Sequence, residues 1–364
     1  MREPRDVRRQ RILAVVESRG EARLSDLADD LEVSVITVRR DVEDLAQEGR
    51  LRRGHGIARS VGPVERGDPQ APPVARRKAV ALMVPERHTY LYETMHGARS
   101  VLYEAGMRVA LHIAPQVEGA ERPLVERVLA DKVRGLLIAP RWRTPAEEEA
   151  DYAWLAEAGV PTVLMERRPR AGSALHTMDS VCTDHWYGIH LAVDHLVGLG
   201  HRRIVLAARD DSPTARALRA AFAEIAEARP EIEEWAVMLS AANAGPGRVR
   251  EPLDLAARLR RHRATAAILH GDVDALMLVQ QLMDHGMKVP QDCSVVAYDD
   301  VVAALGSTPL TAVSPPKFEV GRTAAGLLLR RLEELAGPGT APTQRAELLP
   351  ELKVRGSTTH VEIV

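Results

Sequence analysis

Apolar positions recur at helical spacing in three short stretches near the start of the chain. The first is RRQRILAVVES, residues 8–18, which is followed by Gly20. The second is LSDLADDLEVS, with Ser25 as its expected N-cap, and the third is VITVRRDVEDLAQEG, which opens at Ser34 and closes at Gly49. This pattern predicts three short helices, the last two joined by a brief turn in a helix-turn-helix arrangement.

The third predicted helix has an apolar side, formed by Val38, Val42 and Leu45, and a polar side opposite to it. The second helix of such a pair enters a DNA major groove with its N-terminal residues near base edges. Arginine suits guanine edges or phosphates, and threonine suits a phosphate or a thymine methyl group. The residues of this segment that we expect to contact DNA are Ser34, Ile36, Thr37, Arg39 and Arg40.

A basic segment, RLRRGHGIARS, comes directly after the third helix and carries glycines at positions 54 and 56. The order predicts a strand, a turn and a second strand, which form a wing beside the helices. We expect Arg52, Arg53 and His55 to contact phosphates or a minor groove. One arginine alone is more often a solvated surface charge, but three short helices followed by a basic hairpin favour DNA binding.

From Lys78 onward, apolar runs alternate with amphipathic stretches. The predicted strands are 80–84, 109–114, 135–139, 161–165, 203–208, 266–270 and 294–298, and the predicted helices include 93–105, 123–132, 187–199, 214–228, 273–286 and 319–335. Strands that alternate with helices indicate parallel sheets covered by helices. This part of the 364-residue chain is longer than one such sheet needs, so the pattern predicts an α/β fold with two lobes.

A segment without apolar periodicity separates these two parts. Residues 60–77, SVGPVERGDPQAPPVARR, hold four prolines and two glycines, which predicts a semi-extended linker with no DNA-binding helix of its own. The predicted domains are therefore 1–59, a winged helix-turn-helix domain, 60–77, the linker, and 78–364, a two-lobed sensor and dimerisation domain.

Composition narrows the class of protein. The charged fraction is 27% and the hydrophobic fraction 45%, which is typical of a globular protein and excludes a disordered or collagen-like chain. Residues 1–78 carry 17 basic and 14 acidic side chains, a net of +3, while the whole chain has a net charge of −2. The start MREPRDVRRQR is charged and no apolar run reaches about 18 residues, so we expect a cytoplasmic protein that binds no membrane. Cys182 and Cys293 lie in apolar runs and are expected to be buried thiols.

The N-terminal segment resembles a known family. SVITVRRDV, at residues 34–42, is preceded by RRQRILAVVESRGEARLSDLADDLEV and followed by GRLRRGHG, and together they look like the DeoR-type winged helix-turn-helix over about residues 6–58. The resemblance implies that the third helix reads an operator. The family usually has His-Gly-Gly-Ala at the wing tip, where this chain has Gly54-His55-Gly56-Ile57.

The sensor resembles the LacI/GalR family, whose sensor has the periplasmic-binding-protein fold. The similarity is carried in chain order by VPTVLMERR, SVCTDHWYGIHLAVDHLVGLGHRRIVLAA, AAILHGDVDALMLVQQLMDHGMKVPQDCSVVAYDD and PLTAVSPPKFEVGRTAAGLLL, and it ends at VRGST. It covers nearly all of residues 78–358. The implied fold is two α/β lobes of parallel sheets flanked by helices, with a small-molecule effector bound between them.

The resemblance also assigns effector-binding positions. The family's effector-binding arginine falls on Arg216 and its effector-binding aspartate on Asp299, first of the Tyr-Asp-Asp run. Glu166 stands where the family usually has an aspartate, Gly271-Asp272 replaces the common Asn-Asp, and Asp184-His185 replaces Asp-Asn. A guanidinium and a carboxylate that face one cleft suit vicinal hydroxyl groups, which implies a sugar-like ligand.

Residues just after the strands are the expected ligand contacts, because ligands bind beyond the carboxyl ends of parallel strands. Aromatic residues are scarce, 3% of the chain, and several fall in or near these segments, where a ring can stack on a sugar face. Packing against helices is an equal reading for Tyr92 and Tyr187. The predicted effector-binding residues are Tyr90, Arg141, Trp142, Glu166, His185, Trp186, Arg216, Asp272 and Asp299.

Other kinds of site fit the sequence less well. His185, His190, His195 and His201 are five or six residues apart, a spacing that does not place metal ligands on one helix face. An enzyme would have to use a carboxylate pair such as Asp299 and Asp300, or Glu166 with His185, without any nucleotide or nucleophile motif. We expect no metal, no cofactor and no catalysis.

Two functional classes therefore remain. One is a ligand-responsive regulator, more often a repressor, that binds double-stranded operator DNA as a homodimer and responds to a sugar or sugar derivative. The other is a sugar-binding or sugar-processing protein whose basic N-terminal segment is incidental. The predicted DNA-reading helix favours the first.

Overall fold

The protein is described here by a computed structural model. The described residues are 8–9, 11–13, 15–16, 21–31, 33–47, 51–54, 56–60, 79–86, 90–115, 117, 119–142, 144–240, 253–335 and 342–361. The chain divides into two compact units: Met1–Arg77 with Ala110–His112, and Lys78–Val109 with Ile113–Val364. The linker predicted at 60–77 lies outside the described residues except for Ser60, and the domain boundaries remain predictions.

The N-terminal unit contains three helices and a small antiparallel sheet. The described residues between 8 and 16 are helical (α1), and the other elements are β1 (Glu21–Arg23), α2 (Leu24–Asp30), α3 (Val35–Gln47), β2 (Leu51–Gly54) and β3 (Ile57–Ser60). The strand order is β1-β3-β2, so the predicted hairpin is present and gains a third strand that the sequence pattern did not predict.

The two predicted helix caps of this unit differ in outcome. Ser34 precedes α3, and its hydroxyl accepts a hydrogen bond from the Thr37 backbone N–H at 3.2 Å, which confirms it as the N-cap. Helix α2 already begins at Leu24, so the prediction of Ser25 as an N-cap is wrong. Ile12, Val16, Leu27, Ala28, Leu31, Val38, Val42 and Leu45 are buried and form the core of the unit.

The second unit contains two six-stranded sheets, one in each lobe. The N-terminal lobe contains β4 (Ala79–Pro85), β5 (Arg108–Ala114), β6 (Gly135–Ile138), β7 (Thr162–Met165), β8 (Asp179–Thr183) and β14 (Arg345–Leu348), in the order β14-β8-β7-β6-β4-β5. The C-terminal lobe contains β9 (Arg203–Ala208), β10 (Glu234–Leu239), β11 (Ala266–His270), β12 (Ser294–Tyr298), β13 (Thr311–Ser314) and β15 (Glu351–Lys353), in the order β10-β9-β11-β12-β13-β15.

Helices flank these sheets. They are α4 (Leu91–Glu104), α5 (Glu121–Ala130), α6 (Pro145–Tyr152), α7 (His185–Gly198), α8 (Pro213–Ala228), α9 (Leu255–His262), α10 (Asp272–Asp284) and α11 (Lys317–Glu334). The strand pairs are parallel in the C-terminal lobe except β13 with β15. The chain passes between the lobes after β8, after β13 and after β14, so three connections join them.

The α/β fold with two lobes is as predicted. All seven predicted strands are present, and those at 203–208, 266–270 and 294–298 have the predicted bounds. Both cysteines are buried free thiols, which confirms that prediction. Within the described residues, none of the helices is both long and apolar enough to cross a membrane.

Two glycines allow α4 and α11 to pack closely in the N-terminal lobe. A Cβ atom added at Gly97 would lie 2.0 Å from the Phe318 carbonyl oxygen, and one added at Gly321 would lie 1.8 Å from the Thr94 carbonyl oxygen. Both distances are well below van der Waals contact with backbone atoms, which have little room to move. Only glycine therefore fits at these two positions.

We predict that Gly321→Ala destabilises the protein by about 1–3 kcal/mol or more, because the helices must separate to admit the methyl group. Gly326→Ala, on the same helix, is the matched control, since a Cβ there meets no atom within 4 Å and alanine favours the helix. Thermal unfolding followed by circular dichroism measures both variants. Equal melting temperatures for Gly321→Ala and Gly326→Ala would contradict the close packing.

Candidate functional site

The outward side of α3 carries the residues predicted to contact DNA. Ile36 is 78% exposed, and Ser34, Arg39 and Arg40 are exposed as well. Thr37 is half-buried and its hydroxyl lies 2.8 Å from that of Ser34. Neither Arg39 nor Arg40 has a hydrogen-bond or ion-pair partner among the described residues. A helix with this face unpaired suits a major groove.

The inward side of α3 is held by buried charges. Asp41 is 2% exposed, and its carboxylate lies 2.6 Å from Arg8 Nε and 3.6 Å from Arg9 Nε. Arg9 also pairs with Asp44. Arg8 and Arg9 therefore hold α1 against α3 on the side opposite to the exposed Arg39 and Arg40.

The wing is described only in part. Arg52 and Arg53 lie in β2, but their side chains are outside the described residues, as is the whole of His55. Their predicted DNA contacts therefore remain predictions. Arg59, on β3, forms an exposed ion pair with Glu21 of β1 at 3.0 Å.

In the second unit, two carboxylates stand directly after buried strands of different lobes. Glu166 follows β7 and Asp299 follows β12, and both have left-handed backbone conformations, with φ of 52° and 99°. Such conformations are costly for residues other than glycine and are concentrated at functional sites. They turn these two carboxylates away from the strand direction at the edge where ligands of α/β folds bind.

Asp299 lines a cavity of about 190 Å³ between the lobes, which we call the aspartate pocket. It is lined by Tyr90, Leu91, Arg167, Arg209, Asp211, Ser212, Thr214, His270, Gly271, Asp272, Val273, Asp274, Tyr298 and Asp299. Asp272 is 3% exposed and accepts hydrogen bonds from the backbone N–H groups of Val301 and Val302. Asp272 therefore fixes the loop after Asp299 as well as lining the pocket.

Glu166 is surrounded by hydrogen-bond donors. Its carboxylate accepts from the Tyr90 hydroxyl at 3.3 Å, the Thr183 N–H at 3.2 Å and the Thr183 hydroxyl at 3.1 Å. Burial raises the pKa of Glu166, and these hydrogen bonds oppose the rise. Glu166 and Tyr90 are thus hydrogen-bonded to each other, whereas the sequence predicted each as a separate contact to the ligand.

His185 is a buried neutral residue. Burial lowers the pKa of His185 to about 3, so its ring is uncharged at neutral pH, and its Nδ1 lies 2.9 Å from the Tyr298 hydroxyl. The 3.9 Å contact between His185 and Glu166 is therefore not a salt bridge. Tyr298 in turn fits against α7 because Gly188 has no side chain at that point.

A second cavity of about 270 Å³ adjoins the first, and Thr214 lines both. We call it the tryptophan pocket. Trp186 is 41% exposed in it and stacks on His190, with ring centroids 5.6 Å apart. Arg216 also lines it, from the first turn of α8, whose N-cap is Ser212. The structure thus places Arg216 and Asp299 in adjoining pockets rather than in a single one.

Arg141 and Trp142 do not line the aspartate pocket. Trp142 is 1% exposed, packs edge-to-face on Tyr152 and lines the tryptophan pocket. Arg141 lines a third, smaller cavity with Glu121, and its guanidinium donates to the Pro115 carbonyl oxygen at 3.3 Å.

Several residues of the aspartate pocket were missing from the predicted set. Arg209 directly follows β9, and Arg167 is the second residue after β7, positions that could have identified them. Burial lowers the pKa of His270 to about 4, so it is a neutral donor or acceptor. Lys317 was not identifiable from sequence, since it begins α11 and reaches Asp299 only in the folded chain.

The residues that an enzyme site or a metal site would use have other partners in the fold. Asp300 pairs with Lys353 at 3.1 Å and with Arg355 at 2.8 Å, whereas Asp299 pairs with Lys317, so the two carboxylates have separate partners. His195 bonds Thr358 and His201 bonds Thr265. Within the described ranges, no group of three or more His, Cys, Asp or Glu side chains is arranged to hold a metal ion.

Each of the two units matches a known protein family. Residues 8–64 match the DeoR-like helix-turn-helix domain, and residues 193–358 match the periplasmic binding protein-like domain. A Streptomyces limosus protein described as an HTH-type transcriptional regulator is 33% identical over 68% of this chain and 69% of its own length. The chain belongs to the HTH-type transcriptional regulators. In this regulator, a DeoR-like helix-turn-helix is joined to a periplasmic-binding-protein-like sensor.

Other relatives and solved structures agree with this architecture. The arabinose metabolism transcriptional repressor of Halalkalibacterium halodurans is 27% identical over 93% of the regulator and 90% of its own length. The ribose operon repressor of Escherichia coli is 26% identical over 76% of the regulator and 80% of its own length. A structure of the dimeric Lac repressor shares the fold, with a TM-score of 0.64 and 20% sequence identity. The match covers 78% of the regulator and all of the Lac repressor chain.

We predict that Arg40→Ala weakens specific operator binding by about 1–3 kcal/mol, because its exposed guanidinium on α3 is free to read a base edge. The melting temperature should not change, since Arg40 is exposed and has no hydrogen-bond or ion-pair partner among the described residues. Arg122→Ala is the control, because it removes the same charge from an exposed ion pair with Glu126 in the sensor. Gel-shift titration that shows equal affinities for Arg40→Ala and wild type would refute the assignment.

Proposed function

We propose that the regulator is a cytoplasmic, dimeric repressor whose affinity for operator DNA is changed by a neutral, hydroxyl-rich sugar bound between the sensor lobes. The observation that carries the proposal is the aspartate pocket, in which buried charges are paired with one another and still leave hydrogen-bonding atoms towards the cavity. The names of the arabinose and ribose repressors among the relatives support a sugar as the ligand class.

The charges of the aspartate pocket favour a neutral ligand. Its lining includes the guanidinium groups of Arg167 and Arg209 and the four carboxylates of Asp211, Asp272, Asp274 and Asp299. Arg209 is already paired with Asp274 at 2.9 Å. An anionic ligand would be repelled by this excess of carboxylates, whereas hydroxyl groups can donate to them and accept from the arginines.

The proposed effector extends towards the tryptophan pocket. Arg216 offers donors there, and the exposed ring of Trp186 offers an apolar face for a sugar ring. Burial lowers the pKa of Arg216, and the neighbouring Glu148 and Glu147 of the N-terminal lobe oppose this shift. Arg216 comes from the C-terminal lobe, so a ligand that engages it together with Glu166 contacts both lobes.

An exposed apolar surface on the C-terminal lobe supports a dimer. Val273 and Met277, one turn apart on α10, are 54% and 61% exposed, and Val301 and Leu305, in the segment after β12, are 50% and 63% exposed. Apolar side chains grouped in this way on one surface are typical of an interface. A second copy that covers them gives two DNA-binding units, as two half-sites of a near-palindromic operator require.

The effector changes operator affinity only as far as it binds two lobe arrangements unequally. A ligand that contacts Asp299 and Arg216 from one lobe and Glu166 and Tyr90 from the other meets this requirement, because its contacts depend on the distance between the lobes. Operator affinity then depends on which lobe arrangement the ligand stabilises.

A ligand screen followed by gel shift tests this function. Thermal shift is measured with L-arabinose, D-ribose, other pentoses and hexoses, polyols and nucleosides, and the hit is then titrated against the regulator bound to DNA from upstream of its own gene. We expect a sugar to raise the melting temperature and to change operator affinity. Sugar binding without any DNA binding would instead support a sugar-binding or sugar-processing protein.

We further predict that Asp299→Asn and Arg216→Ala each abolish the response to the effector, while operator binding in its absence survives. An unpaired buried polar partner costs about 1–3 kcal/mol, and more when it is charged. Asp194→Asn, on the exposed side of α7 and paired with Arg229, is the control and should respond as wild type does. If both cleft variants respond at the wild-type ligand concentration, the effector binds elsewhere.

A further inference from the structure

Lys317 is a buried cation beside the proposed effector site. It is 3% exposed, and its Nζ lies 2.5 Å from Asp299 Oδ1 and 3.8 Å from Glu93 Oε1. The ammonium also lies 5.1 Å from the centroid of the Tyr90 ring, within the range of a cation–π contact. A buried lysine without such partners would be strongly destabilising, so these partners compensate the buried charge of Lys317.

The partners of Lys317 come from both lobes. Lys317 is the first residue of α11, which packs against α4 in the N-terminal lobe, and Glu93 belongs to α4 itself. Asp299 follows β12 of the C-terminal lobe. The Lys317–Asp299 ion pair therefore connects the effector-facing edge of one lobe to the helix pair of the other.

This ion pair uses only one oxygen of Asp299. Oδ1 accepts from both Lys317 Nζ and the Asp300 backbone N–H, the latter at 2.9 Å. Across the part of the chain that the structure describes, Oδ2 has no hydrogen-bond partner, and Asp299 lines the aspartate pocket. Lys317 thus fixes the carboxylate with one oxygen occupied and the other available to a ligand.

The surroundings of Asp299 make its charge depend on Lys317. Burial raises the pKa of Asp299, Lys317 opposes the rise, and the carboxylate of Asp272 adds to it. The other ionisable groups that face this pocket are Tyr90, Arg167, Arg209, Asp211, His270, Asp274 and Tyr298, and Glu93 lies on the far side of Lys317. Without the ammonium, the pKa of Asp299 would rise further, because burial and the Asp272 carboxylate would act unopposed by Lys317.

We propose that Lys317 is the positioning residue of the effector site, which orients Asp299 towards the ligand and ties its lobe to the α4–α11 helix pair. The inference rests on the proposed function in so far as Asp299 contacts the effector. A sugar hydroxyl then donates to Asp299 Oδ2 while Lys317 keeps Oδ1. The pair as a whole is neutral, which agrees with a neutral effector.

A double-mutant cycle tests the ion pair without any effector. Melting temperatures are compared for wild type, Lys317→Met, Asp299→Asn and the double variant. Because each single change leaves the other group buried without its partner, we expect the two single losses together to exceed the loss in the double variant. Strictly additive losses would overturn the proposal. Lys317→Gln repeats the cycle if Lys317→Met does not fold.

Effector binding then tests the positioning role by calorimetry, with the sugar found in the thermal-shift screen of the pentoses. Lys317→Met should weaken binding about tenfold or more at neutral pH, and Lys317→Arg should restore part of it. In Lys317→Met the affinity should fall more steeply than in wild type as the pH is lowered, because the pKa of Asp299 is higher without the ammonium and the carboxylate is protonated sooner. The double variant with Asp299→Asn should lack this additional pH dependence.

Lys353→Met is the matched control. Lys353 forms the same kind of pair with Asp300, the next residue, but it is 44% exposed, and Arg355 also holds Asp300. Its effector affinity should equal that of wild type. Unchanged effector affinity in Lys317→Met, or a loss that is the same at every pH, would overturn the positioning role. If no sugar binds wild type, the proposed effector class fails, and the melting cycle alone then decides whether Lys317 and Asp299 are coupled.

Discussion

The effector cleft depends on the compensation of buried charges where two parallel sheets end. A carboxylate in a low-dielectric environment must be paired or protonated, and the regulator uses a different solution in each lobe. Glu166 accepts hydrogen bonds from Tyr90 and Thr183, whereas Asp299 is paired with Lys317. Because Lys317 belongs to α11, the charge of Asp299 in one lobe is stabilised by a helix of the other.

The same interaction explains why the junction between the lobes is suited to respond to a ligand. The close packing of α4 and α11 at Gly97 and Gly321 leaves Lys317 little freedom to follow Asp299 if the lobes move. A ligand that donates to Asp299 therefore acts on a contact whose geometry depends on lobe position. However tightly the ligand binds, it shifts the equilibrium between two lobe arrangements only if they bind it with different affinities.

The sequence predicts elements better than contacts. Continuous apolar runs identified seven strands of the second unit, but five others among its described residues, β8, β10, β13, β14 and β15, were missed. β8, β13, β14 and β15 have polar positions among their apolar ones, and β10 is half-exposed. Family resemblance indicated Arg216 and Asp299, yet it could not show that they line adjoining pockets. Trp142 was predicted from its place after a strand, although burial against Tyr152 is decided by packing, which no local pattern reveals.

We propose that effector binding and operator binding are coupled through this sensor. Coupling free energies are reciprocal, so operator DNA must alter effector affinity by the same factor by which the effector alters operator affinity. Isothermal titration of the effector into the free regulator and into the regulator saturated with operator measures this directly. We expect two different effector affinities, with a ratio that matches the one from DNA titrations. Equal effector affinity in the two titrations would contradict it.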